Sequence, residues 1–146
     1  MSIGDYLDTN LGTKLLLDSI SQIVAAAPGG IYGPPGLPQG WTPSSGATIV
    51  YTADDGRSDW GVPRIEARTT IRCYASGPQA CRAVSAVVNA YLHRTSLTKF
   101  TFGGRVYAAQ YAEKANGPIY IREPDTEWEY DLVTYNIGWI EHTLAS

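Results

Sequence analysis

The chain has 146 residues, with 11 basic and 14 acidic side chains and a net charge of -3. A single domain of this size buries roughly 68 to 70% of the surface its unfolded chain exposes, so no disulfide or metal is required to hold it. The acidic balance argues against a protein whose main task is neutralising phosphates, and no run approaches the roughly 20 apolar residues of a membrane-spanning helix.

The opening MSIGDYLDTN has no basic segment followed by an apolar core, so the expectation is a soluble protein made in the cytosol. Residues 5 to 27 predict a first helix, because Leu7, Leu11, Leu15, Leu16, Ile20, Ile23, Val24 and Ala27 recur at three- and four-residue steps. Gly12 weakens its early part. From Pro28 to Gly46 five prolines and six glycines fall within 19 residues, among them Ile31, Tyr32, Leu37 and Trp41. Such a segment reads as an arm lying on something, either its own sheet or a neighbouring subunit.

Ala47 to Thr52 is rich in branched and aromatic residues and predicts a strand. Ala53 to Gly61 is a polar link, so this strand and the next form a hairpin with a protruding tip. Asp54, Asp55 and Asp59 lack the alternating oxygen ligands and closing Glu of a calcium loop. Trp60 is a contact residue or folds back over the sheet edge. From Arg64 to Cys73 the chain alternates, with Ile65, Ala67, Thr69, Ile71 and Cys73 facing the core and Arg64, Glu66, Arg68, Thr70 and Arg72 facing away. Ser76-Gly77-Pro78 ends the strand, and the Ser oxygen is placed to cap the helix that follows. That helix carries Ala80, Val84, Val87, Val88 and Tyr91 on one stripe.

Phe100 to Tyr111 predicts two short strands around Gly103-Gly104, and Asn116-Gly117-Pro118 a further turn before Ile119-Tyr120-Ile121. Glu123, Asp125, Glu127, Glu129 and Asp131 read as a solvated acidic edge. A last strand from about Tyr130 to Ile140 points Val133, Tyr135, Ile137 and Trp139 inward. The fold class is therefore α+β, a mostly antiparallel sheet of about four to five strands with two helices packed on one face.

No constellation for catalysis is present. The phosphate-binding GxxxxGK and the GxSxG elbow are missing. Cys81 and His93 lie twelve residues apart on one helix, about 18 Å along its axis, too far to pair. Cys73 and Cys81 read as buried thiols. Arg64, Arg68 and Arg72 at even spacing offer a nucleic-acid reading, which Glu66 and the mismatched parity of the tyrosines weaken.

The segments Leu15 to Ala27, Ile31-Tyr32, Pro38-Gln39-Gly40, Ile49-Val50-Tyr51, Ile71-Arg72-Cys73-Tyr74-Ala75, the helix from Ala80, and Glu123-Pro124-Asp125-Thr126, in that order, resemble the tail terminator (tail completion) proteins of long-tailed bacteriophages. The similarity runs from about residue 13 to residue 141; the longer Pro/Gly arm and the acidic stretch before the last strand depart from the pattern. The resemblance implies a virion protein with no cofactor, metal or catalytic residues. It implies a homo-hexameric ring at the head-proximal end of the tail, which stops tube growth and meets the major tail tube protein and a neck or head-closure protein. Genome DNA would pass through without specific binding. Tyr32, Leu37, Trp41, Asp54, Asp55, Arg57, Trp60, Arg64, Glu66, Arg68 and Arg72 are the expected subunit or tube contacts, and Glu123, Asp125, Glu127 and Glu129 the expected acidic lining of the lumen. A neck ring subunit and a free-standing binding module are the alternatives.

Overall fold

The computed structural model describes residues 8–54, 56–58, 64–93, 98–102 and 105–141. Asp55, Asp59, Trp60 and the Gly103-Gly104 turn lie outside the described residues.

The first helix, α1 (Thr9–Asp18), opens on Asp8, whose carboxylate accepts the amides of Asn10 and Leu11 at 3.0 and 3.2 Å, satisfying donors that have no partner within the helix. The single helix expected over residues 5 to 27 is instead two. Ser19 donates its hydroxyl to the Leu16 carbonyl at 2.6 Å, Ile20 is extended, and α2 (Ser21–Ala26) starts in a new direction. The serine competes locally with the main-chain ladder. An uninterrupted helix would put Val24 on the face of Leu17, seven residues earlier; after the break Val24 is 44% exposed while Ile23 is buried. Gly12, read as a weak point, is where α1 closes on the last strand: a Cβ there would lie 3.0 Å from the Trp139 ring.

The strands are β1 (Ile31–Tyr32), β2 (Thr48–Ala53), β3 (Arg57–Ser58), β4 (Arg64–Ala75), β5 (Thr98–Phe102), β6 (Arg105–Arg122) and β7 (Glu129–Glu141). They form one sheet in the order β1-β2-β4-β7-β6-β5, with β3 also paired to β4. Among the described residues only the β1–β2 pair is parallel. The α+β class stands, with five strands of five or more residues and two short ones. The helices pack on one face of this sheet. Their Leu16, Leu17, Ile23, Cys81, Val84, Val88 and Leu92 share a core with Ile49, Ile65, Ala67, Ile71, Cys73, Val133, Tyr135, Ile137 and Trp139. The alternation expected for β4 and for β7 holds residue by residue.

Helix α3 (Pro78–Leu92) is rotated from the expected stripe. Cys81, Val84, Ser85, Val88 and Leu92 are buried, whereas Ala80 and Tyr91 are exposed. Ser85 goes inward because a carboxylate waits there. Asp131, read as part of a solvated acidic edge, shares the inward parity of Val133 and is fully buried. It accepts Arg82 Nε at 2.6 Å and Ser85 Oγ at 2.8 Å. The expected Ser76 cap is also absent: Gly77 occupies the cap position, and Glu129 at the start of β7 accepts its amide at 2.8 Å.

Strand β6 runs straight through the turn expected at Asn116-Gly117-Pro118. Its register against β7 shifts between Ala109 and Tyr111, between Lys114 and Asn116, and between Asn116 and Ile119. These are bulges that bend the strand while pairing continues. Gly117 has φ +95, and a Cβ there would lie 2.5 Å from the Leu132 carbonyl; the backbone freedom that signals a turn serves a bulge here.

The sheet margins are covered by side chains. The Asn10 carboxamide donates to the Ala53 carbonyl at 3.1 Å and accepts the Ala53 amide at 2.9 Å, while Thr9 donates to the Asp54 carbonyl at 2.6 Å. On β6 the Lys114 amide donates to His93 Nδ1 at 3.2 Å, and the Gly117 amide to the Asn116 side chain at 2.9 Å.

Candidate functional site

The sheet face opposite the helices carries the other parity of β4, from Arg64 to Tyr74, beside Tyr130, Leu132, Thr134, Asn136, Gly138 and Ile140 of β7. Along the strands this face divides into an apolar end and a polar end.

At the apolar end a second core forms. Trp41, Val50, Tyr74 and Tyr130 are buried together, with Leu37, Ile121, Trp128 and Leu132 packed against them. The Trp41 ring meets Tyr74 and Trp128 edge-on at centroid distances of 5.5 and 5.0 Å, and Tyr74 lies 4.9 Å from Tyr130, favourable geometries for ring quadrupoles. Trp41 Nε1 donates to Thr48 Oγ1 at 2.8 Å. The Pro/Gly arm thus folds onto its own sheet. Trp41, expected at a subunit contact, is only 5% exposed: the apolar outer face of β2 and β7 must be covered, and the arm is tethered beside it. Burial, then the hydrogen bond to Glu123 at 3.0 Å, pushes the Tyr74 phenol up to about 12. The Arg72 guanidinium stands 5.4 Å from the Tyr130 ring centre, a cation-π contact.

Among the described residues nothing covers the polar end. Asp54 Oδ1 accepts the amides of Gly56 and Arg68, both at 2.9 Å. Tyr111 reaches over Gly138 from β6 and donates its hydroxyl to Glu66. Asp54, Gly56, Glu66, Arg68 and Asn136 line a depression of about 330 Å³. Both carboxylates are engaged within the chain, while the Arg68 side chain is exposed and has no ion pair among the described residues. Arg57 lies in register with Glu66, and Arg64 begins β4 at this end.

The remaining expected contacts fall elsewhere. The Tyr32 hydroxyl donates to the Gly29 carbonyl at 3.0 Å, closing its own turn. Leu37 packs into the aromatic cluster. Glu123, Asp125 and Glu127 lie in the turn between β6 and β7, and Glu129 is the first residue of β7. Glu123 accepts Tyr74 and Thr126 hydroxyls, each at 3.0 Å, and Glu127 lies 3.5 Å from Arg122. Glu129 accepts the Tyr120 phenol, which first among several causes holds its carboxyl below the ordinary value.

Sequence reading missed Trp128, Tyr111 and Asn136. Trp128 sits among acidic residues, where charge drew attention away from it. Tyr111 is aimed outward only by the bulge that precedes it, which no local signal announces.

Chemically, the polar end offers hydrogen-bonding and charged groups, Asp54, Glu66, Arg68 and Asn136. Burial pushes both thiols up, Cys73 strongly, away from the reactive thiolate. Among the described residues no group of three or more His, Cys, Asp or Glu is placed to hold a metal ion. Tyr74 and Tyr130, the tyrosines beside Arg72, are committed to the buried cluster and offer no face to a nucleic-acid base. Among the described residues no helix is long and apolar enough to cross a membrane. No protein-family model matches the chain, and no curated protein matches it.

Proposed function

We propose that this chain is a structural virion subunit that multiplies into a homo-hexameric ring, ending growth of a tail tube at its head-proximal end and joining it to the head. The motif order given above is its starting point. The supporting observation is the division of the sheet face opposite the helices: the apolar end is sealed by the chain's own arm, while the polar end, with Asp54, Glu66, Arg68 and Asn136, is left uncovered by the described residues. A surface that is polar, shaped and already internally hydrogen-bonded suits contact between preformed subunits, which needs complementarity more than apolar area. On this reading the partners are further copies of the chain, the major tail tube protein and a neck protein, and genome DNA crosses the ring without being gripped.

Native mass spectrometry of the purified chain tests the ring, with a species of six chains expected. Addition of the protein to polymerising tail tubes tests the cap, with arrested elongation expected. A chain that stays monomeric at high concentration and leaves tube length unchanged overturns the proposal.

A further inference from the structure

We infer that Asn116 is a site of self-modification, where the main-chain nitrogen of Gly117 attacks the asparagine side chain and converts it to aspartate and isoaspartate. The inference does not depend on the ring reading.

The sequence holds four asparagines, and Asn116 is the one followed by glycine. Asn10, Asn89 and Asn136 precede Leu11, Ala90 and Ile137, whose side chains crowd the nitrogen that would attack. The Asn10 carboxamide is tied to Ala53, and Asn89 lies within α3 and accepts the Tyr135 hydroxyl at 3.2 Å. Asn136 is flanked by paired strands on both sides, opposite Arg68 and Glu113.

At Asn116 the nucleophile and its target are already together. The Gly117 amide donates to Asn116 Oδ1 at 2.9 Å, which holds the nitrogen beside the side-chain carbonyl. In the register of β6 on β7, Asn116 faces Thr134 and Ile119 faces Leu132, so Gly117 and Pro118 together stand opposite Val133. A bulge takes such residues out of the regular ladder, and the Gly117 amide turns to the neighbouring side chain. The pairing of β5 ends at Ala109, so among the described residues no strand flanks Asn116 on its other side, and Asn116 is exposed to water. The fold also excludes a more inert dipeptide. Gly117 has φ +95, and a Cβ there would lie 2.5 Å from the Leu132 carbonyl oxygen, so a side chain that would shield the nitrogen has no room.

The chemistry uses water alone. Water or hydroxide takes the Gly117 amide proton as the nitrogen's electron pair forms a bond to Asn116 Cγ. The Cγ–Nδ2 bond breaks, and the departing nitrogen takes up a proton and leaves as ammonia. The resulting cyclic imide contains Gly117 N and Asn116 C, Cα, Cβ and Cγ. Water then adds to either imide carbonyl: opening at Cγ leaves aspartate, and opening at the main-chain carbon leaves isoaspartate, with the chain rerouted through Cβ and Cγ. Water enters, ammonia leaves, and nothing is oxidised or reduced. Either product adds a negative charge to a chain of net charge -3, and isoaspartate also lengthens the main chain of β6.

The test incubates the full folded chain at mildly alkaline pH, with folding followed by circular dichroism and conversion located by peptide mass spectrometry. Conversion at Asn116 is expected to run roughly tenfold or more faster than at Asn10, Asn89 and Asn136, with ammonia released in equal amount. Asn116→Gln, whose longer side chain requires a larger and slower-forming ring, is expected to abolish most of the ammonia release. The comparison among the four asparagines of the wild-type chain decides the matter even where that variant folds poorly. Conversion at Asn116 no faster than at the other three, or seen only after unfolding in urea, overturns the proposal.

Discussion

The ring of Tyr111 occupies the space that any side chain at position 138 would need. A Cβ on Gly138 would lie 2.5 Å from Tyr111 Cζ and 2.8 Å from Cδ1. Because Glu66 pairs with Gly138 and Gly138 with Tyr111, one row across β4, β7 and β6 ends in the Tyr111 to Glu66 hydrogen bond. Gly138→Ala is expected to destabilise the chain by about 1 to 3 kcal/mol through overpacking. Urea unfolding measures this. Combining it with Tyr111→Ala is expected to cost less than the two single changes added together, since the clash is then gone.

Asp131 and Arg82 are unequal partners. The carboxylate is fully buried, whereas the arginine side chain is 53% exposed. Arg82→Ala leaves a buried charge held by Ser85 alone and is expected to cost about 3 kcal/mol. Asp131→Asn lets Arg82 turn to water and keeps an acceptor for Ser85, so its cost is expected to be smaller, about 1 to 2 kcal/mol. Equal losses in chemical denaturation would show that Arg82 does not compensate the buried carboxylate.

Trp41 is the pin of the arm. Trp41→Ala removes the packing against two aromatic neighbours, Tyr74 and Trp128, and the bond to Thr48, and is expected to cost about 3 to 5 kcal/mol. The same variant is expected to bind a hydrophobic dye, because Val50, Tyr74 and Tyr130 lose their cover. A variant with unchanged Tm and no dye binding would place the arm's attachment elsewhere.

Two groups set opposite pH limits. The fold prefers the neutral phenol of Tyr74, so its contribution is intact below the ordinary value of 10.0 and is lost as pH rises through about 12. The fold prefers the ionised carboxyl of Glu129, so its contribution is present above 4.5 and is lost as pH falls through its lower folded value. Stability measured against pH is expected to fall less steeply above 10.0 in Tyr74→Phe, and less steeply below 4.5 in Glu129→Gln, than in wild type.

Much of the fold was legible in strict alternation. Ile65 to Cys73 and Val133 to Trp139 announced their buried faces because a strand's period of two leaves no choice once one face is apolar. What stayed hidden depended on long-range partners. Asn116-Gly117-Pro118 carries the chemistry of a turn, and only the presence of β7 alongside makes it a bulge. Ser19 ends α1 because the core wants Ile23 and not Val24. Asp131 was visible in principle, since it sits one step before Val133 in the same parity, but a run of acidic neighbours masked it. At the candidate site the arginine row was readable from β4 alone, whereas the arm's return onto the aromatic cluster was not, because Pro and Gly set local angles without fixing a destination.

The carboxamide of Asn10 imitates a neighbouring strand where it meets Ala53, and Asn116 and His93 do comparable service on β6. At these points the margin of the sheet offers no template for endless backbone zippering between molecules. Copies that associate are thereby steered toward side-chain recognition, which can be closed, counted and tuned by ionic strength, and away from open-ended stacking.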